Sequence, residues 1–308
     1  MRTSNRNLTA QQTSIHPAAL PGHVELAVAN LDEQIGFYQR TLGFQQHWRS
    51  GPQAGLGAGG ADLLKLTERP GFKRYPHATG LYHYAVLFPS QRELARAVGR
   101  LFSLHYRNYP TDHIMTKTTY LEDPEGNGIE LYAESPEDGV FAIEKDRFIT
   151  RRADGSLSSG REALDLQTLF AHLQPHDDPD EPIPPETRIG HIHLHVSHLG
   201  EAVEFYQRVI GFDLMGVSHS LQAAFLSAGG YHHHIGLNTW QGAGAPLPLA
   251  DALGLETFTI VLPDEAAWQD AEARILMSGI PYEATPAGMR LFDPSRNGVM
   301  LTLPPTGF

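Results

Sequence analysis

The sequence predicts an α+β fold built from repeated units in which a strand, a helix and further strands follow one another. Within the first 135 residues, this order of strand-like and helix-like segments occurs twice. The segment at 31–44, LDEQIGFYQRTLGF, then returns at 199–212 as LGEAVEFYQRVIGF, with 8 of 14 positions identical. A repeat of this kind indicates a duplicated domain, and each copy holds two strand–helix–strand units.

Each predicted element of the first copy has a local signal. Alternating residues predict a strand at 23–28, and Asn30 or Asp32 can cap the helix that follows and ends at Gly43. The turn sequence DPEGNG at 123–128 is typical of a hairpin, and DPSRNG at 293–298 repeats its pattern. The other predicted elements are strands at 61–67 and 82–88, a helix at 91–102, and hairpin strands at 118–121 and 129–132.

The repeat also predicts where the domains begin and end. Residues 1–20 are polar and unpatterned, which indicates an N-terminal arm, and residues 21–135 and 188–308 form the two copies. Residues 136–187 are then a linker, with a short helix predicted at 162–173. The acidic, proline-rich stretch DDPDEPIPPE at 177–186 predicts a solvated segment.

Composition excludes several classes of function. The net charge is −12, without a long basic run, so nucleic acid and anionic membranes are not expected as partners. No apolar segment has the roughly 20 residues that span a bilayer, and the N-terminus lacks a signal-peptide pattern. We therefore expect a cytoplasmic protein. Since cysteine is absent, any metal must be held by nitrogen and oxygen, for which the 17 histidines are candidates.

Comparison of the two copies points to a metal site in the first. His23, His83 and Glu130 lie in strands of the first copy, and their counterparts in the second copy are His191, Thr257 and Met300. Residues that served folding alone would be expected to keep similar chemistry in both copies. Two histidines and one carboxylate, with coordination positions left open, are the ligand composition of non-haem Fe(II) oxygenases. The sequence therefore predicts a metal held by His23, His83 and Glu130.

These motifs resemble the vicinal-oxygen-chelate superfamily of glyoxalases, bleomycin-resistance proteins and dioxygenases. The resemblance is carried by HVELAV at 23–28, FYQRTLGF at 37–44 and DPEGNGIELY at 123–132, and it covers about 21–135 and 188–304. The two-copy architecture is similar to catechol 2,3-dioxygenase-like extradiol ring-cleaving enzymes. The resemblance implies tandem βαβββ modules, two modules per domain, which form curved mixed sheets around a cavity in each of two domains.

The resemblance also implies an activity and further site residues. The reaction would be cleavage of a catechol-type ring, a small aromatic diol, by O2 with bound Fe(II), or Mn(II) in its place. No organic cofactor is needed. Tyr120, ten residues before Glu130, matches a tyrosine that contacts substrate in the family, and His113 is the candidate proton donor. Family members often associate, so a homo-oligomer is compatible with the resemblance.

Two other functions stay open from the sequence. A glyoxalase-like metal-dependent lyase or isomerase would use Zn(II) or Ni(II) and four protein ligands, with Asp62 as the candidate for the fourth. A binding protein of the bleomycin-resistance type would hold a ligand without a metal. A set of histidines in the second copy predicts either a second metal site or a polar sheet face; it comprises His191, His193 and His195 on one strand and His232, His233 and His234 in a later predicted strand.

Overall fold

Four βαβββ modules make up most of the chain, two in each half. The computed structural model describes residues 14–144 and 147–304. Module 1 contains β1 (Leu20–Val28), α1 (Leu31–Leu42), β2 (Gln45–Ser50), β3 (Gln53–Gly57) and β4 (Asp62–Glu68). Module 2 contains β5 (Gly80–Leu87), α2 (Gln91–Ser103), β6 (Tyr109–Asp112), β7 (Thr116–Glu122) and β8 (Gly128–Glu134). Thus the strand and helix positions predicted for the first half are confirmed, with ends that differ by a few residues.

The second half repeats this order after an intervening segment. That segment contains β9 (Gly139–Glu144), β10 (Arg147–Arg152), β11 (Leu157–Ser158), β12 (Glu162–Ala163) and α3 (Leu166–Phe170). Module 3 contains β13 (Arg188–His195), α4 (Leu199–Glu204) with a π-helical continuation (Phe205–Ile210), β14 (Asp213–Ser218), β15 (Ala223–Ser227) and β16 (Ile235–Asn238). Module 4 contains β17 (Gly254–Val261), α5 (Glu265–Ser278), β18 (Glu283–Thr285), β19 (Gly288–Phe292) and β20 (Gly298–Thr302). The α+β class and the tandem modules are confirmed.

Each large sheet combines a module from one half with a module from the other. The eight-stranded sheet has the order β18-β19-β20-β17-β1-β4-β3-β2, so modules 4 and 1 meet where β17 and β1 pair antiparallel. The nine-stranded sheet has the order β12-β6-β7-β8-β5-β13-β16-β15-β14, so modules 2 and 3 meet at β5 and β13. The sequence repeat defines four modules, whereas strand pairing decides which two of them share a sheet.

One buried hydrogen bond joins two repeated motifs within each half. Tyr38, from the FYQR sequence of α1, donates its hydroxyl to Asp123 Oδ2 at 3.0 Å, and Tyr206 donates to Asp293 Oδ2 at 3.2 Å. Both aspartates also accept hydrogen bonds from backbone amides of their own hairpin turns. The repeated turn and the repeated helix therefore fix each other, which explains why both motifs recur.

Loss of either tyrosine hydroxyl should destabilise the protein. In Tyr38→Phe and Tyr206→Phe variants, a buried carboxylate loses one partner, so we expect the free energy of unfolding to fall by about 1–2 kcal/mol in each. Urea denaturation measures this change. Tyr75→Phe is the matched control, because Tyr75 also donates to a carboxylate, Asp251, but in a part-buried position. An effect of equal size in the control would contradict a special role for the buried pairs.

The segment between the halves packs against the first half more closely than its composition predicts. Arg92 of α2 pairs with Asp177, Arg96 donates to the carbonyl of Glu181 at 2.8 Å, and Ile183 is buried. The acidic stretch is therefore held along α2 rather than solvated throughout. The predicted helix at 162–173 is also shorter, because Asp165 caps a helix that begins at Leu166, and residues 162–163 pair with β6 instead.

A further local prediction is wrong. Residues 231–234 lie in a loop between β15 and β16, not in a strand. Gly229 and Gly230, which precede them, both have positive φ angles (64° and 78°) and turn the chain there. None of the helices in the described ranges has the length and apolarity required to cross a membrane.

Candidate metal centre and its cavity

Three candidate metal ligands surround a small residue in the centre of the nine-stranded sheet. Ala85 on β5 lies opposite Glu130 on β8 and opposite His191 on β13. His83 precedes Ala85 by two positions and so points to the same face of β5. The register thus brings side chains from three neighbouring strands, two from module 2 and one from module 3, to one point.

The ligand atoms of this group converge closely. His83 Nε2 and His191 Nε2 each lie 3.1 Å from Glu130 Oε2, and the two nitrogens are 3.2 Å apart. Atoms in neighbouring coordination positions of one ion, each bound at about 2.1 Å, lie roughly 3.0–3.4 Å apart. The three residues are buried, and they are the group within residues 14–144 and 147–304 that could hold a metal ion. The arrangement therefore fits a bound metal.

The protonation states in this group also suit metal binding. Burial opposes ionisation of Glu130, but its hydrogen bonds and electrostatic interactions with His191 and His83 outweigh burial and hold the pKa of this carboxyl well below its usual range. Burial lowers the pKa of His191 to about 4, against the pull of Glu130. An ionised carboxylate and a neutral imidazole are the forms that bind a metal. Thr118 Oγ1, 2.9 Å from Glu130 Oε1, orients the carboxylate further.

His23 lies outside this group, which corrects its place in the predicted triad. It sits in β1 of the eight-stranded sheet, where its Nε2 contacts Glu25 Oε1 at 2.9 Å. In this sheet, the positions equivalent to His83, Ala85 and Glu130 are occupied by Thr257, Thr259 and Met300. Arg290 lies opposite Met300. His23 and His191 occupy equivalent positions of the repeat, but only His191 is in the sheet that contains His83 and Glu130. The three-ligand group therefore spans both halves of the chain.

Asp62, the candidate for a fourth ligand, is also outside the group. Its carboxylate contacts His47 Nδ1 at 2.9 Å and accepts a hydrogen bond from Trp48 Nε1 at 2.8 Å. Asp62 begins β4 of the eight-stranded sheet, so it shares neither the sheet nor the cavity of His83, Glu130 and His191.

The two predicted catalytic residues lie beside the ligand group and contact each other. Tyr120 on β7 is directly opposite Glu130 in the hairpin, and its hydroxyl is 2.8 Å from His113 Nε2. His113 Nδ1 is 2.5 Å from the carbonyl oxygen of Gly160, so Nδ1 donates a hydrogen bond to this oxygen and leaves Nε2 to face Tyr120. Burial and the nearby Glu130 charge raise the pKa of Tyr120 well above its usual value. Tyr120 is therefore a neutral hydroxyl that donates to His113.

A cavity of about 700 Å³ opens in front of these residues. Apolar and aromatic side chains form much of its wall, among them Met115, Phe141, Leu221, Phe225 and Trp240. The segment between the halves contributes Phe141, Thr150 and residues 159–163 to the same wall. A region that the sequence identifies only as a linker therefore covers the site.

Besides His191, three histidines from the second half line this cavity, namely His193, His232 and His233, and the sequence predicts no role for them there. Burial lowers the pKa of His193 and of His233 well below the usual value, so both are neutral. The ring of His233 is 4.3 Å from that of His191, between centroids, and His232 links His233 to Glu134 on β8.

The alternation of histidines along β13 is the one sequence signal for this face of the sheet. Within the described ranges, side-chain geometry that could hold a metal ion is confined to His83, Glu130 and His191. This geometry does not support a second metal site for the histidines of the second copy. His191 belongs to the candidate centre, His193 and His195 lie on β13, and residues 232–234 lie in a loop.

The fold and the ligand group define a member of one enzyme and binding-protein superfamily. A sequence profile of the Glyoxalase/Bleomycin resistance protein/Dioxygenase superfamily matches residues 20–131 and 188–301, and the chain belongs to this family. Both matched regions coincide with the pairs of βαβββ modules. The two histidines and one glutamate at the centre of the nine-stranded sheet support a metal cofactor.

One curated protein and two solved structures are similar to most of this chain. The chain is 39% identical to the catechol-2,3-dioxygenase of Bacillus subtilis (strain 168) over 285 residues, which are 92% of this chain and 96% of that protein. A crystal structure of a presumed dioxygenase from Bacillus subtilis subsp. subtilis str. 168 superposes with a TM-score of 0.61 at 12% identity, covering 96% of this chain and 87% of that one. Glyoxalase I from Zea mays superposes at 0.52 with 15% identity and 92% coverage of both chains. These two structures support the fold alone.

Proposed function

We propose that this chain is an extradiol dioxygenase that uses Fe(II) and O2 to cleave a catechol-type aromatic ring. The observation that carries the proposal is the convergence of His83, Glu130 and His191 beside Tyr120 in a largely apolar cavity. The 39% identity to a catechol-2,3-dioxygenase over nearly the whole chain supports the same reaction class. Two histidines and a carboxylate with open positions are the ligand set of non-haem Fe(II) oxygenases.

His83, Glu130 and His191 would hold the metal through Nε2, Oε2 and Nε2. The bound metal would supply the electron-transfer chemistry that allows O2 to react with an aromatic diol. Three protein ligands leave room for both substrate oxygens to approach, and Thr118 keeps the carboxylate of Glu130 in one orientation.

The remaining residues would position the diol and move its protons. Tyr120 donates a hydrogen bond to His113 Nε2, so the lone pairs of the tyrosine oxygen are available to accept a hydrogen bond from a substrate hydroxyl. A proton could then pass from the substrate through Tyr120 to His113, and return as the ring opens. The aromatic side chains Phe225 and Trp240 would pack against the ring and exclude water. His193 and His233, both neutral and buried, offer further proton acceptors in the same cavity.

A glyoxalase-like reaction has less support in this chain. Its metal sites typically use four protein ligands, and Asp62, the residue considered for the fourth, is engaged with His47 and Trp48 in the other sheet. Binding without a metal, as in bleomycin-resistance proteins, would leave two histidines and a glutamate buried together without a role.

The proposal is tested by anaerobic reconstitution with Fe(II), followed by addition of a catechol and O2. We expect a yellow ring-fission product to form, with one O2 consumed for each diol, because extradiol cleavage places both oxygen atoms in the product. The control is the same protein loaded with Zn(II), which binds similar ligands but has no redox chemistry. Turnover of a hemithioacetal by Zn(II)- or Ni(II)-loaded protein, without catechol cleavage by the Fe(II) form, would contradict the proposal.

A further inference from the structure

Arg161 lies on the cavity wall at a fixed position beside the proposed proton-transfer pair. The carbonyl of the preceding residue, Gly160, contacts His113 Nδ1 at 2.5 Å. The following residue, Glu162, lies opposite Asp112 where β12 pairs with β6. The amide of Arg161 itself donates to Ser159 Oγ at 3.1 Å. The backbone is thus held on both sides, so the base of the arginine side chain is anchored next to His113.

The guanidinium of Arg161 is the uncompensated charge of this cavity. Of the charged residues that line it, Glu130 belongs to the ligand group, and Glu162 is bound by Arg152 and by Ser158. Within residues 14–144 and 147–304, the guanidinium of Arg161 has no ion pair or hydrogen bond. An arginine that served only to hold the segment in place would be expected to use its side chain for a contact within the protein.

Arg161 is exposed at the cavity wall, so an incoming ligand can reach its charge. Among the described residues that line this cavity, Arg161 is the one lysine or arginine. Arg161 is close enough for its charge to act on Tyr82 and Tyr120, which line the same cavity. The net charge of the chain is −12, so the protein as a whole repels an anion, whereas Arg161 attracts an anion to this wall of the cavity. A planar guanidinium matches a carboxylate, which it can bind through two parallel hydrogen bonds.

We propose that Arg161 binds an acidic substituent on the ring, so that the substrate is a catechol with a carboxylate side chain. This inference rests on the proposed function and specifies its substrate class. The diol end would lie at Tyr120 and the ligand group, and the carboxylate end would lie at the segment that joins the two halves.

The test compares three diols of similar size: dihydroxyphenylacetate, which is anionic, 4-ethylcatechol, which is neutral, and dopamine, which is cationic. For the Fe(II) enzyme, we expect Arg161→Gln to lower the ratio of kcat/KM for the anionic diol to that for the neutral diol by about tenfold or more, the size of a charge-assisted hydrogen bond. Arg161→Lys should restore part of the preference. Arg161→Glu should raise the relative kcat/KM for dopamine, a gain that a misfolded variant cannot produce.

Arg208→Gln is the matched control, because Arg208 pairs with Glu204 on an exposed helix surface. It should leave the ratio of the two kcat/KM values unchanged. An equal loss for anionic and neutral diols in Arg161→Gln, or no gain for dopamine in Arg161→Glu, would overturn the inference. Anaerobic binding of the same diols to metal-loaded protein separates it from the proposed function. Charge-dependent binding without ring cleavage would support the role of Arg161 and contradict the dioxygenase proposal. Ring cleavage without charge dependence would support the dioxygenase proposal and contradict the role of Arg161.

Discussion

Replacement of His191 by alanine should remove the bound metal and abolish ring cleavage, whereas replacement of His23 should do neither. His191 Nε2 lies 3.1 Å from Glu130 Oε2 and 3.2 Å from His83 Nε2, while His23 contacts Glu25 in the other sheet. Loss of residues that merely support metal ligands costs roughly 10–100-fold in metal affinity, so loss of a ligand should cost more. Metal content after reconstitution and desalting measures this difference directly.

Thermal unfolding provides a readout that is independent of activity. A metal that binds the folded state stabilises it in proportion to the logarithm of its concentration over Kd. Added Fe(II), under anaerobic conditions, should therefore raise the Tm of the wild type and of His23→Ala, but not that of His191→Ala. Because both variants lose a strand histidine, general damage to a sheet would affect them alike. Metal loss in His23→Ala with a normal content in His191→Ala would refute the assignment.

This pair of variants also marks the limit of prediction from the sequence. His23 and His191 stand at equivalent positions of the repeat, 168 residues apart, and each begins a βαβββ module. Local patterns define the modules, and they also place His83 and Glu130 in neighbouring parallel strands. They do not specify that module 2 pairs with module 3, since that pairing depends on contacts between segments distant in the chain. The sequence therefore predicts two of the three candidate ligands, His83 and Glu130. It names His23 as the third, whereas the sheet topology brings His191 to that place.

The wall of the cavity was beyond prediction for a related reason. Residues 136–187 show no repeat and no strong periodicity, so composition alone indicates a linker. Their position over the site depends on single contacts, such as the one between Gly160 and His113 and the edge pairing of Glu162 with Asp112. In contrast, Tyr120 and Glu130 belong to one hairpin, whose turn chemistry fixes their register, and the structure places them directly opposite each other.

The second large effect is expected from Tyr120 and His113, which should act as one unit in proton transfer. Tyr120→Phe and His113→Gln should each lower kcat by roughly 10²–10⁴-fold, the usual contribution of a positioned acid or base, while metal content stays unchanged. The 2.8 Å contact between Tyr120 Oη and His113 Nε2 implies that either change breaks the same path. The double variant should then be little worse than either single variant, because residues that act together are not additive.

Tyr109→Phe serves as the matched control for loss of a hydroxyl in this cavity. Tyr109 lies opposite Tyr120 in the neighbouring strand and lines the same cavity, but it is half exposed, and its hydroxyl has no hydrogen bond within the described residues. The kcat of the Tyr109→Phe variant should change little. If Tyr109→Phe matched Tyr120→Phe, or if the losses in Tyr120→Phe and His113→Gln multiplied in the double variant, the two residues would not share one proton path. If instead only the losses at Tyr120 and His113 fail to add, proton transfer depends on the hydrogen bond between these two residues. Gly160 holds His113 in place, so the segment between the halves then takes part in the reaction.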